Sequence, residues 1–235
     1  MIEYQIDLVK KFLIDSHNHI IADNSNQPKY KTEISDICKS KGVLYVSIPE
    51  IKLKPSWSHA AAMHWVYVNV IYKRKPDYFG FMDHDIFPTR KTSIINNLWN
   101  GVFGRVIPPY GTNEISENQK YWSLWAGFYF MKFSLIEKVR LNKINFFPIY
   151  LKNGLVLDTG GGLWNTVLYG LPLPDTLLNY SQIKIKNNDK FLLQSDAYEQ
   201  LGDWVHIVNL SNWYKANNMD YKIKYFENYL EDLLK

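Results

Sequence analysis

The sequence has little of several features that mark large classes of protein. Its 235 residues contain one cysteine, Cys38, which excludes an intramolecular disulfide and a zinc site built from several cysteines. No uncharged run approaches the ~20 residues needed to span a bilayer. The start of the chain has acids and lysines inside its apolar pattern, which a secretory signal would not tolerate. We therefore expect one domain over residues 1–235, in a reducing, cytoplasmic setting.

Dense positive charge is also missing. The net charge is +4, and the lysines are mildly concentrated in residues 52–54, 73–75 and 184–190. A nucleic-acid-binding protein would need a denser basic stripe. The charge pattern predicts an anionic ligand or a peripheral membrane contact, and no nucleic acid.

Aromatic residues are abundant by contrast, at 16% of the chain with 8 Trp and 17 Tyr. Aromatic rings supply large buried areas, so most of them are expected in the core. A minority at a cleft would suit sugar rings, whose apolar faces stack on aromatic ones.

Helical and extended patterns alternate over the first hundred residues. The predicted order is helix 4–14, strand 19–23, helix 31–40, strand 43–47, a helix from Ser56 or Ser58 to Lys75, and strand 78–82. This order predicts an α/β fold with a mostly parallel, doubly wound sheet and helices on both faces. Ligands of such sheets gather at the carboxyl ends of the strands.

The later half is less regular. Strands are predicted at 102–107, 121–131 and 204–208, and helices at 134–140, at 158–169 and from Tyr221 to the C-terminus. The last helix is amphipathic, and we expect it to pack on its own domain.

The triplet Asp83-His84-Asp85 follows the apolar strand from Tyr78 to Met82. Two acids at alternate strand positions point the same way, so both can face one hard divalent cation. Acids at a strand end also cap a following helix, which here would start near Thr89. We favour the metal site.

Three further residues each have a structural and a functional interpretation. Asp23, in the turn-rich Asp23-Asn24-Ser25, is either a turn former or a hydrogen-bond acceptor for a base or ribose. Asp158, before three glycines, is either a helix cap or a general base. His206 is either a hydrogen-bonded core residue or a ligand of the cation or of a diphosphate.

Two other functions compete. The run Asp15-Ser-His17-Asn-His19 imitates the Asp-x-His-x-His start of metal-dependent hydrolases built on barrels. That fold needs eight strand-helix units and later metal ligands, which the remaining histidines do not supply in order. A non-catalytic carbohydrate-binding module would instead use the tryptophans.

Four segments in order resemble a nucleotide-sugar glycosyltransferase of the GT-A fold, in its family-2-like branch. They are Ile-Ile-Ala-Asp23-Asn-Ser, the helix after Ser58, Phe-Gly-Phe-Met-Asp83-His-Asp85 and Ala126-Gly-Phe-Tyr-Phe-Met131. The resemblance covers residues 4–170. Chains of this family begin with an apolar strand, whereas this sequence reaches the first helix at once, so we expect the usual first strand to be missing.

The resemblance implies a role for each candidate residue. Asp23, with Asn24 and Ser25, would contact the uracil or ribose of the donor. Asp83 and Asp85, with His84 between them, would form the Asp-x-Asp motif that holds Mn²⁺ or Mg²⁺ against the donor diphosphate, and His206 would complete that site. Ala126 and Gly127 would lie near the acceptor pocket. Asp158 would deprotonate the acceptor, although Leu157 stands where the family has Glu.

The resemblance therefore predicts a metal-dependent glycosyltransferase. It would move a sugar from a UDP-sugar, with inversion, onto a glycan or other hydroxyl acceptor. Residues 1–107 would form the nucleotide-binding half, and residues 108–235 the acceptor half with the C-terminal helix.

Overall fold

The computed structural model describes residues 1–109, 121–151, 154–172, 180–184, 197–208 and 220–235. Six α-helical segments occur in them. They are α1 (Ile2–Phe12), α2 (Pro28–Lys41), α3 (Pro55–Val66), α4 (Tyr72–Arg74), α5 (Phe133–Glu137) and α6 (Asp220–Leu234). A wider helical turn, Tyr67–Ile71, joins α3 to α4 without a break. The predicted helix from Ser56 or Ser58 to Lys75 is thereby confirmed.

Eleven strands accompany these helices in the described residues. They are β1 (Ile20–Asp23), β2 (Leu44–Ser47), β3 (Tyr78–Met82), β4 (Ile86–Pro88), β5 (Val102–Ile107), β6 (Ser123–Lys132), β7 (Ile149–Tyr150), β8 (Val156–Leu157), β9 (Tyr180–Lys184), β10 (Ala197–Leu201) and β11 (Trp204–Ile207). The predicted strands at 19–23, 43–47, 78–82, 102–107, 121–131 and 204–208 are all present. The mixed α/β class is confirmed.

The predicted mostly parallel sheet is not observed in the described residues. Of the strands there, only β1 and β2 pair in parallel. A three-stranded sheet of order β3-β6-β5 and a four-stranded sheet of order β4-β11-β10-β9 are antiparallel, as is the β7-β8 pair. One reason is a short connection, since β10 and β11 are joined by the two residues Gly202-Asp203. A parallel pair needs a crossover of a dozen residues or more, whereas antiparallel strands need only short connections.

The largest apolar cluster lies between α3 and the three-stranded sheet, and it includes residues on both sides of position 107. Ala62, Met63 and Val66 of α3 are buried in it, as is much of β6. The ring of Tyr67 packs on Phe79 and Phe146. This agrees with the expectation that most aromatic rings serve the core. The single-domain division stays a prediction.

The C-terminal helix packs on its own domain, as predicted. Phe226 and Leu230 of α6 are buried with Leu8 of α1 and with residues of β4 and β11. Tyr4 in α1 also donates a hydrogen bond from its hydroxyl to Glu231 at 3.0 Å. None of the helices in the described ranges is long and apolar enough to cross a membrane.

Candidate functional site

The triplet Asp83-His84-Asp85 forms the turn between β3 and β4, closed by a hydrogen bond from the Ile86 N–H to the Asp83 carbonyl at 3.3 Å. The acids therefore lie in a turn. The sequence predicts them at alternate positions of a strand, and that prediction is wrong. The helix expected near Thr89 is absent as well, since residues 89–91 are irregular and Thr92 pairs with Leu13. Buried Gln5 of α1 fixes the turn, since its side-chain amide donates to the carbonyls of Asp83 at 2.6 Å and Ile86 at 2.9 Å.

Asp83 lies between α3 and β6. Its Oδ1 is 3.6 Å from Nε2 of His59 in α3, and its backbone N–H donates to the carbonyl of Gly127 at 2.8 Å. A Cβ atom on Gly127 would lie 2.7 Å from Asp83 Oδ2, so only glycine leaves room for this carboxylate. Burial raises the pKa of Asp83, a shift that His59 opposes and the charge of Asp85 reinforces. Gly127 lies beside Asp83, and its expected place near an acceptor pocket stays a prediction.

Asp85 is buried, with 9% of its surface exposed. Its Oδ1 lies 3.7 Å from His206 Nε2 and accepts no hydrogen bond from the described residues. The main chain is better satisfied, because the Ile207 N–H donates to the Asp85 carbonyl at 2.9 Å. Buried carboxylate oxygens are normally hydrogen-bonded, so this oxygen has capacity for a partner from outside the chain. His84 is exposed at the tip of the turn.

His206 is held in place by a closed ring of four side chains. Its Nδ1 is 2.8 Å from Glu199 Oε2, and the same oxygen accepts a hydrogen bond from Arg105 at 2.8 Å. The Arg105 guanidinium lies over the Trp125 ring at 5.3 Å, and that ring contacts the imidazole of His206 at a centroid distance of 4.7 Å. Burial alone lowers the pKa of His206, but the carboxylates of Asp85 and Glu199 outweigh it and raise the pKa to about 9.

Sequence reasoning missed the supporting residues of this ring. Glu199 stands directly opposite His206 in the β10-β11 hairpin, whose loop is Gly202-Asp203. A two-residue Gly-Asp loop is a hairpin signal, so counting outward from it would have paired the two residues. Arg105 lies at an irregularity of β5 between Gly104 and Val106, where a bulge changes the direction of a side chain. No local pattern predicts that.

Asp23 makes the hydrogen bonds of a turn former, and its contact with a base or ribose stays a prediction. It is buried, and its two carboxylate oxygens accept hydrogen bonds from the Ser25 N–H at 2.7 Å and the Tyr45 hydroxyl at 2.9 Å. The first of these closes a turn that mimics a backbone turn. Asn24 lies exposed on this loop. Asp23 therefore shapes the loop after β1.

Asp158 is half-buried in the turn after β8. Its carbonyl accepts a hydrogen bond from Gly161 at 2.7 Å, and Gly160 adopts a φ of 87°, which favours glycine. The predicted helix 158–169 is a tight turn, Gly161–Leu163, followed by a wide one, Trp164–Leu168. Thr159 donates from its hydroxyl to the carbonyl of Ser56 at 3.0 Å, which ties this turn to the start of α3.

In the hydrolase-like segment Asp15–His19, the carboxylate of Asp15 makes hydrogen bonds within the chain. Asp15 accepts hydrogen bonds from the Ser93 hydroxyl at 2.6 Å and from the N–H groups of Ile94 and Ile95 at 2.6 and 3.1 Å. His17 is exposed, whereas Nδ1 of His19 is buried without a hydrogen-bond partner in the described part of the chain. Burial, with smaller contributions from His17 and Lys10, lowers the pKa of His19 to about 4.

The predicted metal ligands lie in one neighbourhood but do not form a cage. Asp85 and His206 are both close enough to Asp83 to influence its pKa. Within the described ranges, no group of three His, Cys, Asp or Glu side chains is arranged to hold an ion. The assignment of Asp83, Asp85 and His206 to one cation stays a prediction.

Comparisons with protein-family models, curated proteins and solved structures found no match to this chain.

Proposed function

We propose that the chain is a metal-dependent glycosyltransferase that moves a sugar from a UDP-sugar, with inversion, onto a glycan or other hydroxyl acceptor. The observation that supports it most is the acidic turn after β3. There Oδ1 of Asp85 is buried without a hydrogen bond from the described residues, and Asp83 lies in the same turn. His206, at 3.7 Å, balances part of the Asp85 charge without a hydrogen bond, so a cation would satisfy this oxygen further.

A divalent cation fits these residues. Asp83 and Asp85 would hold Mn²⁺ or Mg²⁺, and His206, fixed by Glu199 and protonated at neutral pH, would face the donor diphosphate through Nε2. Mg²⁺ is commonly bound by one or two carboxylates together with substrate phosphates, so a three-ligand protein cage is not required. When bound, the ion supplies positive charge that stabilises the diphosphate leaving group.

The acceptor side needs a separate base, and we assign that role to Asp158. Its carboxylate would take the proton of the acceptor hydroxyl while the hydroxyl oxygen bonds to the anomeric carbon and the bond to the diphosphate oxygen breaks. General base catalysis contributes typically ~10²–10⁴-fold. The start of α3 supports this pairing of acids, since it contacts Thr159 through Ser56 and Asp83 through His59.

The donor nucleotide would lie along the loop after β1. Because both oxygens of Asp23 are engaged by the chain, Asn24 and Ser25 are the groups of this loop placed to contact a base or ribose, with Asp23 setting their position. A carbohydrate-binding module would not explain why Oδ1 of Asp85 is buried without a hydrogen bond from the described residues. A hydrolase would need Asp15 for its metal, but Asp15 already accepts a hydrogen bond from the Ile94 N–H.

The test is calorimetry with UDP, with and without MnCl₂, on the wild type and on Asp83→Asn and Asp85→Asn. We expect Mn²⁺ to strengthen UDP binding at least ~10-fold in the wild type, which is about 1.4 kcal/mol, and to have no effect in either variant. Asp36→Asn is the matched control, because Asp36 is an exposed acid on α2. If neither Mn²⁺ nor the two substitutions change the affinity for UDP, the proposal is excluded.

A further inference from the structure

The first turn of α3 contacts both of the acidic regions assigned to the reaction. The Ser56 carbonyl accepts the hydroxyl hydrogen bond of Thr159, which neighbours Asp158, and His59 lies 3.6 Å from Asp83. Three residues of helix span only ~4.5 Å along its axis. Trp57 belongs to the same helical turn, one residue after Ser56 and two residues before His59.

Trp57 is unusually exposed for its type. Its exposed fraction is 41%, whereas Trp122 and Trp204 are each 1% exposed. Its ring packs against Phe147, with centroids 5.3 Å apart and planes inclined by 44°. Large apolar surface left in water beside a polar site is typical of a ligand-binding position.

The backbone around Phe147 is tied to the glycine turn that follows Asp158. The N–H groups of Gly160 and Gly162 donate to the carbonyls of Phe146 and Phe147 at 2.7 and 3.0 Å. The Phe147 N–H in turn donates to the side chain of Asn145 at 2.9 Å. The aromatic pair and the turn bearing Asp158 therefore keep a fixed spacing, which a base acting on a bound hydroxyl requires.

Phe147 also lines an open pocket between α3 and the segment 141–147, with a volume of about 710 Å³. Ligand pockets usually measure ~300–1,000 Å³. Val68, Leu141 and Ile144 form part of its apolar wall, and the polar residues His64, Asn142, Lys143 and Asn145 also line it. Amide and ammonium groups on an apolar wall suit the hydroxyls and the flat faces of sugar rings.

We infer that Trp57 and Phe147 form the platform for one sugar ring of the acceptor, and that the adjoining pocket takes the next ring. The acceptor is then a glycan of at least two sugars. This inference rests on the proposed function and narrows its acceptor from any hydroxyl compound to such a glycan. The indole of Trp57 covers the apolar face of the terminal ring and thereby holds its reacting hydroxyl near Asp158.

The experiment measures binding of cellobiose, maltose, lactose and chitobiose by calorimetry, and binding of UDP with MnCl₂ to the same proteins. The proteins are the wild type, Trp57→Ala, Trp57→Phe and Tyr225→Ala. Tyr225 is the matched control, because it is an aromatic residue of α6 with 42% exposure. Circular dichroism checks that each variant is folded.

We expect at least one disaccharide to bind the wild type, at least ~10-fold weaker binding in Trp57→Ala, near wild-type binding in Trp57→Phe, and no change in Tyr225→Ala. Equal disaccharide binding in Trp57→Ala, or no disaccharide binding by the wild type, overturns the platform. If UDP binding responds to Mn²⁺ in that case, the transferase proposal survives without it. If disaccharide binding depends on Trp57 while UDP never binds, the platform stands and the transferase proposal falls.

Discussion

Residues 15–25 and residues 83–85 each place two acids and at least one histidine next to a strand, and their side chains have different partners. In the first segment, Asp15 and Asp23 accept hydrogen bonds on both carboxylate oxygens from groups of the chain itself. In the second, Asp83 and Asp85 face histidines at 3.6 and 3.7 Å, and Asp85 Oδ1 has no donor in the described residues.

The difference separates acids that build the fold from acids that are available to a ligand. A carboxylate that accepts hydrogen bonds on both oxygens from internal donors stabilises a turn and has less capacity for a ligand. A buried carboxylate without donors costs stability in the free protein, and such groups cluster at functional sites. Residue type and strand position are alike in both segments, so only the partners distinguish them.

The largest effect is expected from the ring that supports the second segment. Glu199→Ala leaves Arg105 and His206 without the carboxylate they share, and removing one partner of a buried ion pair costs ~3–5 kcal/mol. Urea unfolding at neutral pH measures the loss. The control is Glu137→Ala, which removes an exposed partner of Lys75 and should cost under ~1 kcal/mol. A loss below ~1 kcal/mol for Glu199→Ala would show that the ring does not hold the site.

A smaller effect separates the two acids directly. Asp23→Asn turns one acceptor into a donor that faces Tyr45 or Ser25, and losing a hydrogen bond to a charged group costs ~1.5–3 kcal/mol. Asp85→Asn should cost less than Asp23→Asn, because Oδ1 of Asp85 loses no hydrogen bond from the described residues and the substitution weakens its charge interaction with His206 at 3.7 Å. The same unfolding assay compares them. Equal losses would mean that Asp85 is as structural as Asp23.

The smallest effect is a pH dependence in the first segment. The pKa of His19 is about 4 in the folded chain, against an ordinary value of 6.5 for a histidine in an unfolded one. Between these values only the unfolded state takes up the proton, so the free energy of unfolding falls as the pH drops from 6.5 towards 4, and this contribution stays lost at lower pH. Partial exposure of the ring limits the change to roughly 1–2 kcal/mol. His19→Gln should flatten this slope, His17→Gln should not, and an unchanged slope in His19→Gln would refute the assignment.

The helices and longer strands could be predicted because hydrophobic periodicity reports which face of an element is buried. It does not report strand direction, and this is why the mostly parallel sheet was expected. The short strands β4, β7 and β8 have two or three residues each, too few for any period to appear. The acids between β3 and β4 were interpreted as a helix cap or a metal site rather than as the turn itself.

The candidate site was predictable where its members are local and not where they depend on pairing. Asp83, Asp85 and His206 were expected together, and they do lie close together. His59, Arg105, Trp125 and Glu199 were missed, because each reaches the site from another element. Asp23 was assigned to a ligand by the resemblance, and its hydrogen bond from Tyr45 was missed because it depends on the neighbouring strand β2.

Gln5 gives the acidic turn a consequence for the whole molecule. Its side-chain amide donates to the carbonyls of Asp83 and Ile86. The Ile207 N–H of β11 donates to the carbonyl of Asp85 in the same turn. The turn thus exists only when elements from the beginning, middle and end of the chain have come together. A ligand that prefers the assembled turn contributes RT ln(1 + [L]/Kd) to the stability of the complete fold. Binding of a ligand at this turn would therefore raise the melting temperature of the whole protein.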